Sequence, residues 1–212
     1  EIPSLYIADG HHRSASACKV GLKRREEYPD YTGREEFNYF MAVIFPDSHL
    51  KVFDYNRVVK DLNGNTEEEF LTKVKDAGFF VEEMGKSPYR PEGKHIFGMF
   101  LDEKWYRLTV REEIIPEDIV DSLDVSILQN HLLSPILGVE DPRTDNRIDF
   151  IGGIRGLKEL ERRVGLDMKV AFAVHPVEIS DLMTVSDEGR VMPPKSTWFE
   201  PKLGSGLFLH RL

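Results

Sequence analysis

Apolar residues recur along the chain with two different periods, and together these periods predict a fold built from strands and helices. Short apolar or alternating runs typical of strands cover residues 5–8, 37–45, 51–55, 79–83, 95–101, 105–110, 147–151, 169–174 and 207–209. Polar turns separate two pairs of these runs, at Pro46-Asp47-Ser48 and at Asp102-Glu103-Lys104. Each of these two pairs is therefore expected to form a hairpin.

The clearest helix signal follows Thr66. Thr66 precedes Glu69 by three residues, which is the spacing of a capping box, where each side chain bonds the other residue's backbone. Behind it, Phe70 and Val74 lie on one face of an amphipathic pattern that stops at Gly78. The sequence therefore predicts a helix that starts at this box and ends before Gly78.

Four further helices are predicted from weaker patterns, and the mixture of hairpins and helices indicates an α+β fold. The expected helices cover residues 14–20 up to Gly21, the region from Pro116 to Pro135, residues 154–164 and residues 176–183. We expect mixed or antiparallel sheets with hairpins and packed helices. The change of pattern near residue 113 predicts a subdivision into 1–112 and 113–212.

Composition narrows the class of protein. The 212 residues carry a formal net charge of −9 and a pI near 5.3, which makes a nucleic-acid partner unlikely. No apolar run approaches the roughly 20 residues that a membrane-spanning helix needs. A single cysteine, Cys18, excludes an internal disulfide framework and favours a reducing, cytoplasmic location. The sequence does not indicate an oligomeric state.

The chain begins at Glu1, without an initiator methionine, and a strand-like run follows within a few residues. The basic, apolar and small-residue pattern of a signal peptide is not found there. A strand this close to the start usually pairs with neighbours that earlier sequence provides. Residues 1–212 are therefore expected to be the C-terminal portion of a longer protein.

The segment that carries chemistry is the turn Asp9-Gly10-His11-His12-Arg13, between the first predicted strand and the first predicted helix. The first N–H groups of a helix lack internal partners and carry the positive end of its dipole. A glycine just before them lets an anion approach the backbone closely, and Arg13 adds a bidentate donor. The pattern favours phosphate or nucleotide binding, with Asp9 available to accept a proton or to hold a metal.

Two other interpretations of this turn stay open. A glycine turn between a strand and a helix is common without any ligand. A metal-dependent hydrolase using Asp9, His11 and His12 is the second, although adjacent side chains rarely converge on one ion and Arg13 would repel it. We therefore predict no resident metal in this turn.

A second candidate region lies near the C-terminus. Lys195, Ser196, Thr197 and Lys202 place two amines and two hydroxyls close together in sequence, which suits an anionic ligand. The alternative is a surface strand whose lysines are solvated. Pro193-Pro194 stiffens the approach to Lys195.

Residues 6–17, from Tyr6 through the turn to Ala17, resemble the signature of a conserved family, domain of unknown function 1015 (DUF1015). Residues 192–207 are similar to that family's C-terminal signature, and residues 123–138 are similar to its middle segment. The resemblance spans nearly the whole chain and includes two long motifs.

The same turn is also similar to that of the wider ParB/sulfiredoxin group, which includes free-serine kinases. This resemblance implies a ParB/sulfiredoxin-like phosphate-binding turn at the N-terminal edge of the fold. It implies that Gly10, His11, His12, Arg13 and Ser14 bind the phosphates of ATP or ADP, with Mg²⁺ as the accompanying cation. Sulfiredoxin chemistry is not expected, because the turn lacks that group's catalytic cysteine.

The function expected from this resemblance is that of a small-molecule kinase acting on a hydroxyl compound such as free serine. Asp9, His11 and His12 are then the candidate catalytic residues, and a nucleotide and a small-molecule substrate are the expected partners. The alternative from another class is a non-catalytic, ParB-like regulator that binds nucleotide.

Overall fold

The computed structural model describes residues 4–204 and 206–211, which form two compact units. The first unit comprises the chain up to Lys51 together with the segment from Phe199 onward, and the second comprises Val52–Trp198. Helices and antiparallel strands both contribute, so the α+β class expected from the sequence is confirmed. The subdivision at residue 112 and the place of the chain in a longer protein stay predictions.

Eight strands occur among the described residues: β1 (Lys51–Phe53), β2 (Tyr55–Val59), β3 (Phe79–Gly85), β4 (Ile96–Leu101), β5 (Lys104–Val110), β6 (Ile148–Gly152), β7 (Val170–Ala173) and β8 (Trp198–Glu200). Six of them form one antiparallel sheet in the second unit, in the order β3-β5-β4-β7-β2-β6. Strands β1 and β8 fall where the two units divide along the chain.

Five α-helices accompany these strands in the same described ranges: α1 (His11–Glu27), α2 (Glu67–Asp76), α3 (Asp124–Leu128), α4 (Leu157–Leu166) and α5 (Ile179–Asp187). Helix α3 continues into one π-helical turn, Gln129–Leu133. Across residues 4–204 and 206–211, every helix is too short or too polar to cross a membrane.

Alternation along the strands divides the core of the second unit into two layers. Met99 and Leu101 on β4 join a cluster with Phe70 of α2 and Ile127 of α3. Phe100, between them in sequence, joins the opposite cluster. Successive side chains of a strand point to opposite faces, so α2 and α3 cover one face of the sheet while α4 covers the other.

Two local predictions in this unit are confirmed by hydrogen bonds and backbone angles. The Glu69 N–H donates to Thr66 Oγ1 at 3.2 Å, and the Thr66 N–H donates to Glu69 Oε2 at 2.8 Å, which completes the capping box. Strands β4 and β5 form the predicted hairpin. Its turn residues Asp102 and Glu103 have φ values of 49° and 57°, as tight hairpin turns require.

The remaining helix predictions of the second unit hold with shifted boundaries. The helix expected from Pro116 begins at Asp124, after turns. The helix expected over residues 154–164 begins at Leu157, after a short 3₁₀ turn, and the helix expected over 176–183 lies at Ile179–Asp187.

Three strand predictions outside the six-stranded sheet are wrong. Residues 5–8 and 207–209 contain no strand, and neither does the run 37–45 that was expected to form a hairpin with 51–55. The side chains of Phe40 and Ile44 in this run are 56% and 61% exposed. An apolar run forms a strand only where a neighbour completes the backbone ladder, and the described residues supply none here.

Helix α1 extends well beyond the predicted end at Gly21, as far as Glu27. Gly21 is buried, and a Cβ atom built on it would lie 2.8 Å from the backbone oxygen of Phe37. This glycine therefore allows two backbone segments to approach closely and does not end the helix. Sequence alone does not separate these two uses of glycine.

Candidate phosphate-binding turn at the start of helix α1

The predicted turn overlaps the start of α1. The helix begins at His11 and not at Ser14 as predicted, so only Asp9 and Gly10 precede it. Gly10 is the N-cap residue and adopts the left-handed conformation, with φ 84° and ψ 27°. The first helical hydrogen bond runs from the Ser14 N–H to the Gly10 carbonyl at 2.9 Å. The N–H groups of His11, His12 and Arg13 precede that bond, and no side chain caps this end of the helix.

Glycine is required at position 10 for two reasons. Residues with side chains rarely adopt its positive φ. A Cβ atom at this position would also lie 3.0 Å from Nη2 and 3.1 Å from Nε of Arg13. The turn therefore places the Arg13 guanidinium directly beside the Gly10 backbone.

Two cations flank Asp9. Arg13 Nη2 lies 3.6 Å from Asp9 Oδ2, and Lys202 Nζ lies 3.5 Å from Asp9 Oδ1. The Arg13 and Asp9 side chains are 70% and 51% exposed, and exposed pairs of this kind contribute little to stability. A phosphate group, which carries more charge than one carboxylate, can therefore recruit Arg13 at small cost.

His11 and His12 are exposed in the first turn of α1, and Ser14 is half-buried. Consecutive helical residues point about 100° apart, so the two imidazoles do not face the same point. Within residues 4–204 and 206–211, no three His, Cys, Asp or Glu side chains lie close enough to hold one metal ion.

The structure divides the predicted tail residues between the two units. Lys202 belongs to the first unit and joins Asp9, as described above. Lys195, Ser196 and Thr197 belong to the second unit. Ser196 is buried, and its hydroxyl donates to the Pro193 carbonyl at 2.6 Å. This hydrogen bond gives Ser196 a structural role in the segment before β8.

Two polar features of the second unit were missed by sequence reasoning. Arg57 is 3% exposed in β2, between Asn56 and Val58, and this local sequence gives no sign of its burial. Asp124 is 7% exposed at the start of α3 and accepts the His95 N–H at 2.8 Å. Burial raises the pKa of Asp124 to about 6, against the opposing effect of nearby His95 and His175.

Comparison with known proteins gives one family match. A family model described as "Protein of unknown function (DUF1015)" matches residues 1–126, which is more than half of the chain. No curated protein sequence matches the chain.

Several solved structures resemble the fold. A free serine kinase variant in complex with AMP is 20% identical, with a TM-score of 0.47, and the match covers 91% of this chain and 66% of that one. A second variant of a free serine kinase, in complex with ADP, is 19% identical with a TM-score of 0.48, covering 94% and 70%. A conserved hypothetical protein from Pyrococcus furiosus is 19% identical with a TM-score of 0.48, covering 94% and 72%. This chain thus spans about two thirds of the length of these proteins.

Proposed function

This chain belongs to the DUF1015 family of proteins of unknown function, and we propose that it binds the phosphates of ATP or ADP at the Gly10–Arg13 turn. We further propose that it is a small-molecule kinase that phosphorylates a hydroxyl compound such as free serine. The observation that supports the proposal most directly is the left-handed Gly10 at the start of the 17-residue helix α1, with Arg13 beside it.

The turn provides three kinds of positive potential for a phosphate. The N–H groups of His11, His12 and Arg13 are free of helical bonds and lie at the positive end of the α1 dipole. No acidic residue occupies the first turn of α1 to compensate that potential. Arg13 adds a bidentate donor, and Lys202 adds a second cation on the other side of Asp9.

Phosphoryl transfer depends mostly on positioning and on charge stabilisation, which suits a site of this kind. In the proposed reaction Arg13 and the helix amides hold the phosphates, while Asp9 or one imidazole of the turn accepts the proton of the hydroxyl substrate. Asp9 also fits the need of Mg²⁺ for one carboxylate besides the nucleotide phosphates. Magnesium would supply charge neutralisation on the phosphate oxygens.

Replacing Arg13 with alanine is expected to weaken ADP and ATP binding about 10- to 100-fold, because it removes a charge-assisted bidentate contact. Arg13→Lys keeps the charge but not the fork geometry, so its affinity is expected to fall between those of wild type and Arg13→Ala. Isothermal titration calorimetry with each nucleotide, with and without Mg²⁺, measures both effects.

Lys19→Ala is the matched control, because Lys19 is an exposed cation farther along the same helix. Its affinity should stay within about twofold of wild type. Equal losses of nucleotide affinity in Lys19→Ala and Arg13→Ala would mean that the loss of one positive charge from α1, and not of a specific contact, causes the effect, which would contradict the phosphate site.

Turnover is tested separately, by phosphoserine formation from serine and nucleotide. Binding without transfer would favour the non-catalytic regulator over the kinase.

The hypothesis of a metal-dependent hydrolase predicts a different result in these experiments. Hydrolysis that requires added metal, survives Arg13→Ala and is lost in His11→Ala would replace the kinase proposal.

A further inference from the structure

The second unit contains a groove of about 370 Å³ beside strands β2 and β6. Its apolar wall is formed by Tyr55, Ile148, Phe150, Pro142 and Pro194. This volume lies at the lower end of the range for small-molecule sites. Besides the five residues of the apolar wall, four charged residues line the groove. Strand β6 is an edge strand of the six-stranded sheet, so the groove opens at the sheet's border.

Most charged side chains of the groove are neutralised by neighbours. Three ion pairs account for them, Arg143 with Asp141 at 2.9 Å, Asp145 with Arg147 at 2.8 Å and Asp149 with Arg163 at 2.8 Å. Lys195 is the fourth charged residue of the lining, and among residues 4–204 and 206–211 it has no carboxylate within 4.0 Å. The groove therefore presents one uncompensated positive charge.

Lys195 makes one aromatic contact through its ammonium and one hydrogen bond through its backbone. Its Nζ lies 5.5 Å from the centre of the Tyr55 ring, which is a cation–π distance. The Lys195 backbone adopts a positive φ of 58°, and its carbonyl accepts a hydrogen bond from Arg57 Nη2 at 3.1 Å. The backbone of this exposed lysine is therefore fixed by a buried arginine, and its ammonium lies over the Tyr55 ring of the groove.

Arg57 contacts three of the residues that line the groove. It is 3% exposed, and its guanidinium donates to the Tyr55 carbonyl as well as to that of Lys195. Burial lowers the pKa of Arg57 to about 10, so the guanidinium stays charged at neutral pH. It also lies 5.5 Å from the centre of the Phe150 ring. Arg57 thus donates to the backbone of both Tyr55 and Lys195 and contacts the ring of Phe150.

From these contacts we infer that this groove binds a small, flat, apolar compound that carries one anionic group, either an aromatic carboxylate or an aryl phosphate. The anionic group pairs with the Lys195 ammonium, and the flat body contacts the apolar wall at Phe150 and the two prolines. The inference is independent of the nucleotide proposal, because it uses none of the residues of the Gly10–Arg13 turn.

The test titrates the protein with benzoate, phenyl phosphate, benzamide and acetate, observed by two-dimensional amide NMR. Saturable shifts centred on Phe150, Arg143 and Lys195 are expected for benzoate or phenyl phosphate. Benzamide lacks the charge and acetate lacks the flat body, so each is expected to bind at least fivefold more weakly than benzoate. Whichever anion binds more tightly, the carboxylate or the phosphate ester, identifies the source of the ligand's charge.

Lys195→Met is expected to weaken benzoate binding at least fivefold and to leave benzamide binding within twofold. Lys158→Met, which removes an exposed lysine on α4 of the same unit, is the control and should leave both unchanged. The inference is overturned if no anion binds saturably, if benzamide binds as well as benzoate, or if the shifts lie outside the groove.

Discussion

Gly153→Ala is expected to lower the free energy of unfolding of the second unit by about 3 kcal/mol, because the new methyl group has no space. A Cβ atom at Gly153 would lie 2.1 Å from Oδ1 and 2.3 Å from Cγ of Asp54. Asp54 is 2% exposed, and its carboxylate accepts from Asn56 and lies 3.3 Å from Arg90 Nη1. Moving the carboxylate would break these contacts, and urea unfolding at neutral pH measures the cost.

Gly165→Ala is the matched control in the same unit. Gly165 lies in α4 with no atom within 4 Å of an added Cβ, so alanine is expected to stabilise the protein by about 0.5 kcal/mol. A double-mutant cycle with Asp54→Ala separates the clash from other effects. If Gly153→Ala costs as much in the Asp54→Ala background as in wild type, the explanation by the carboxylate is wrong.

The elements of the second unit could be predicted from sequence because their signals are local. The Thr66 capping box and the Asp102-Glu103 turn each fix a boundary within four residues. The continuous apolar runs of β4 and β7 are typical of strands that are buried on both faces. The order of the six strands has no such signal, because it depends on contacts between residues far apart in sequence.

The first unit shows why apolar runs alone are insufficient. The run 37–45 has strand propensity, but a strand needs a hydrogen-bonded neighbour, and propensity does not reveal whether one is present. Gly21 and Gly78 look alike in sequence at the ends of predicted helices. Gly78 has a positive φ of 99° directly after its helix, whereas Gly21 lies inside α1, close to another backbone segment.

The two candidate sites also differ in how far the sequence predicts them. The Gly10–Arg13 turn was predicted because its glycine, its arginine and the start of α1 are adjacent in sequence. Lys195 was also predicted to suit an anionic ligand, but the groove around it was not predicted, because Arg57 and Lys195 lie 138 positions apart. Arg57 stands between Asn56 and Val58, so its neighbours in sequence do not indicate that it is buried.

Asp124→Asn is expected to stabilise the protein by about 3 kcal/mol at pH 7.5 and to have little effect at pH 4. Burial raises the pKa of Asp124 from 3.8 to about 6, and this difference corresponds to about 3 kcal/mol. Asparagine carries no charge, and its side-chain oxygen can still accept the His95 N–H. Urea unfolding of both proteins between pH 4 and pH 8 gives the difference.

The sign follows from proton binding in the two states. Between pH 3.8 and about 6 the folded protein holds a proton on Asp124 that the unfolded chain has lost. Stability from this group therefore falls as the pH rises through that window, and the full cost of the buried charge is present above it. The backbone hydrogen bond from His95 and the nearby His95, His175 and Lys94 side chains lower the pKa of Asp124 but do not cancel the effect of burial.

Asp121→Asn is the control, because it removes the same charge from an exposed position three residues away. Its stability should follow that of wild type within about 0.5 kcal/mol across the pH range. A constant difference between Asp124→Asn and wild type from pH 4 to pH 8 would contradict the raised pKa. A difference from wild type that grows with pH in Asp124→Asn but not in Asp121→Asn would show that the cost comes from the Asp124 carboxylate, which folding removes from water.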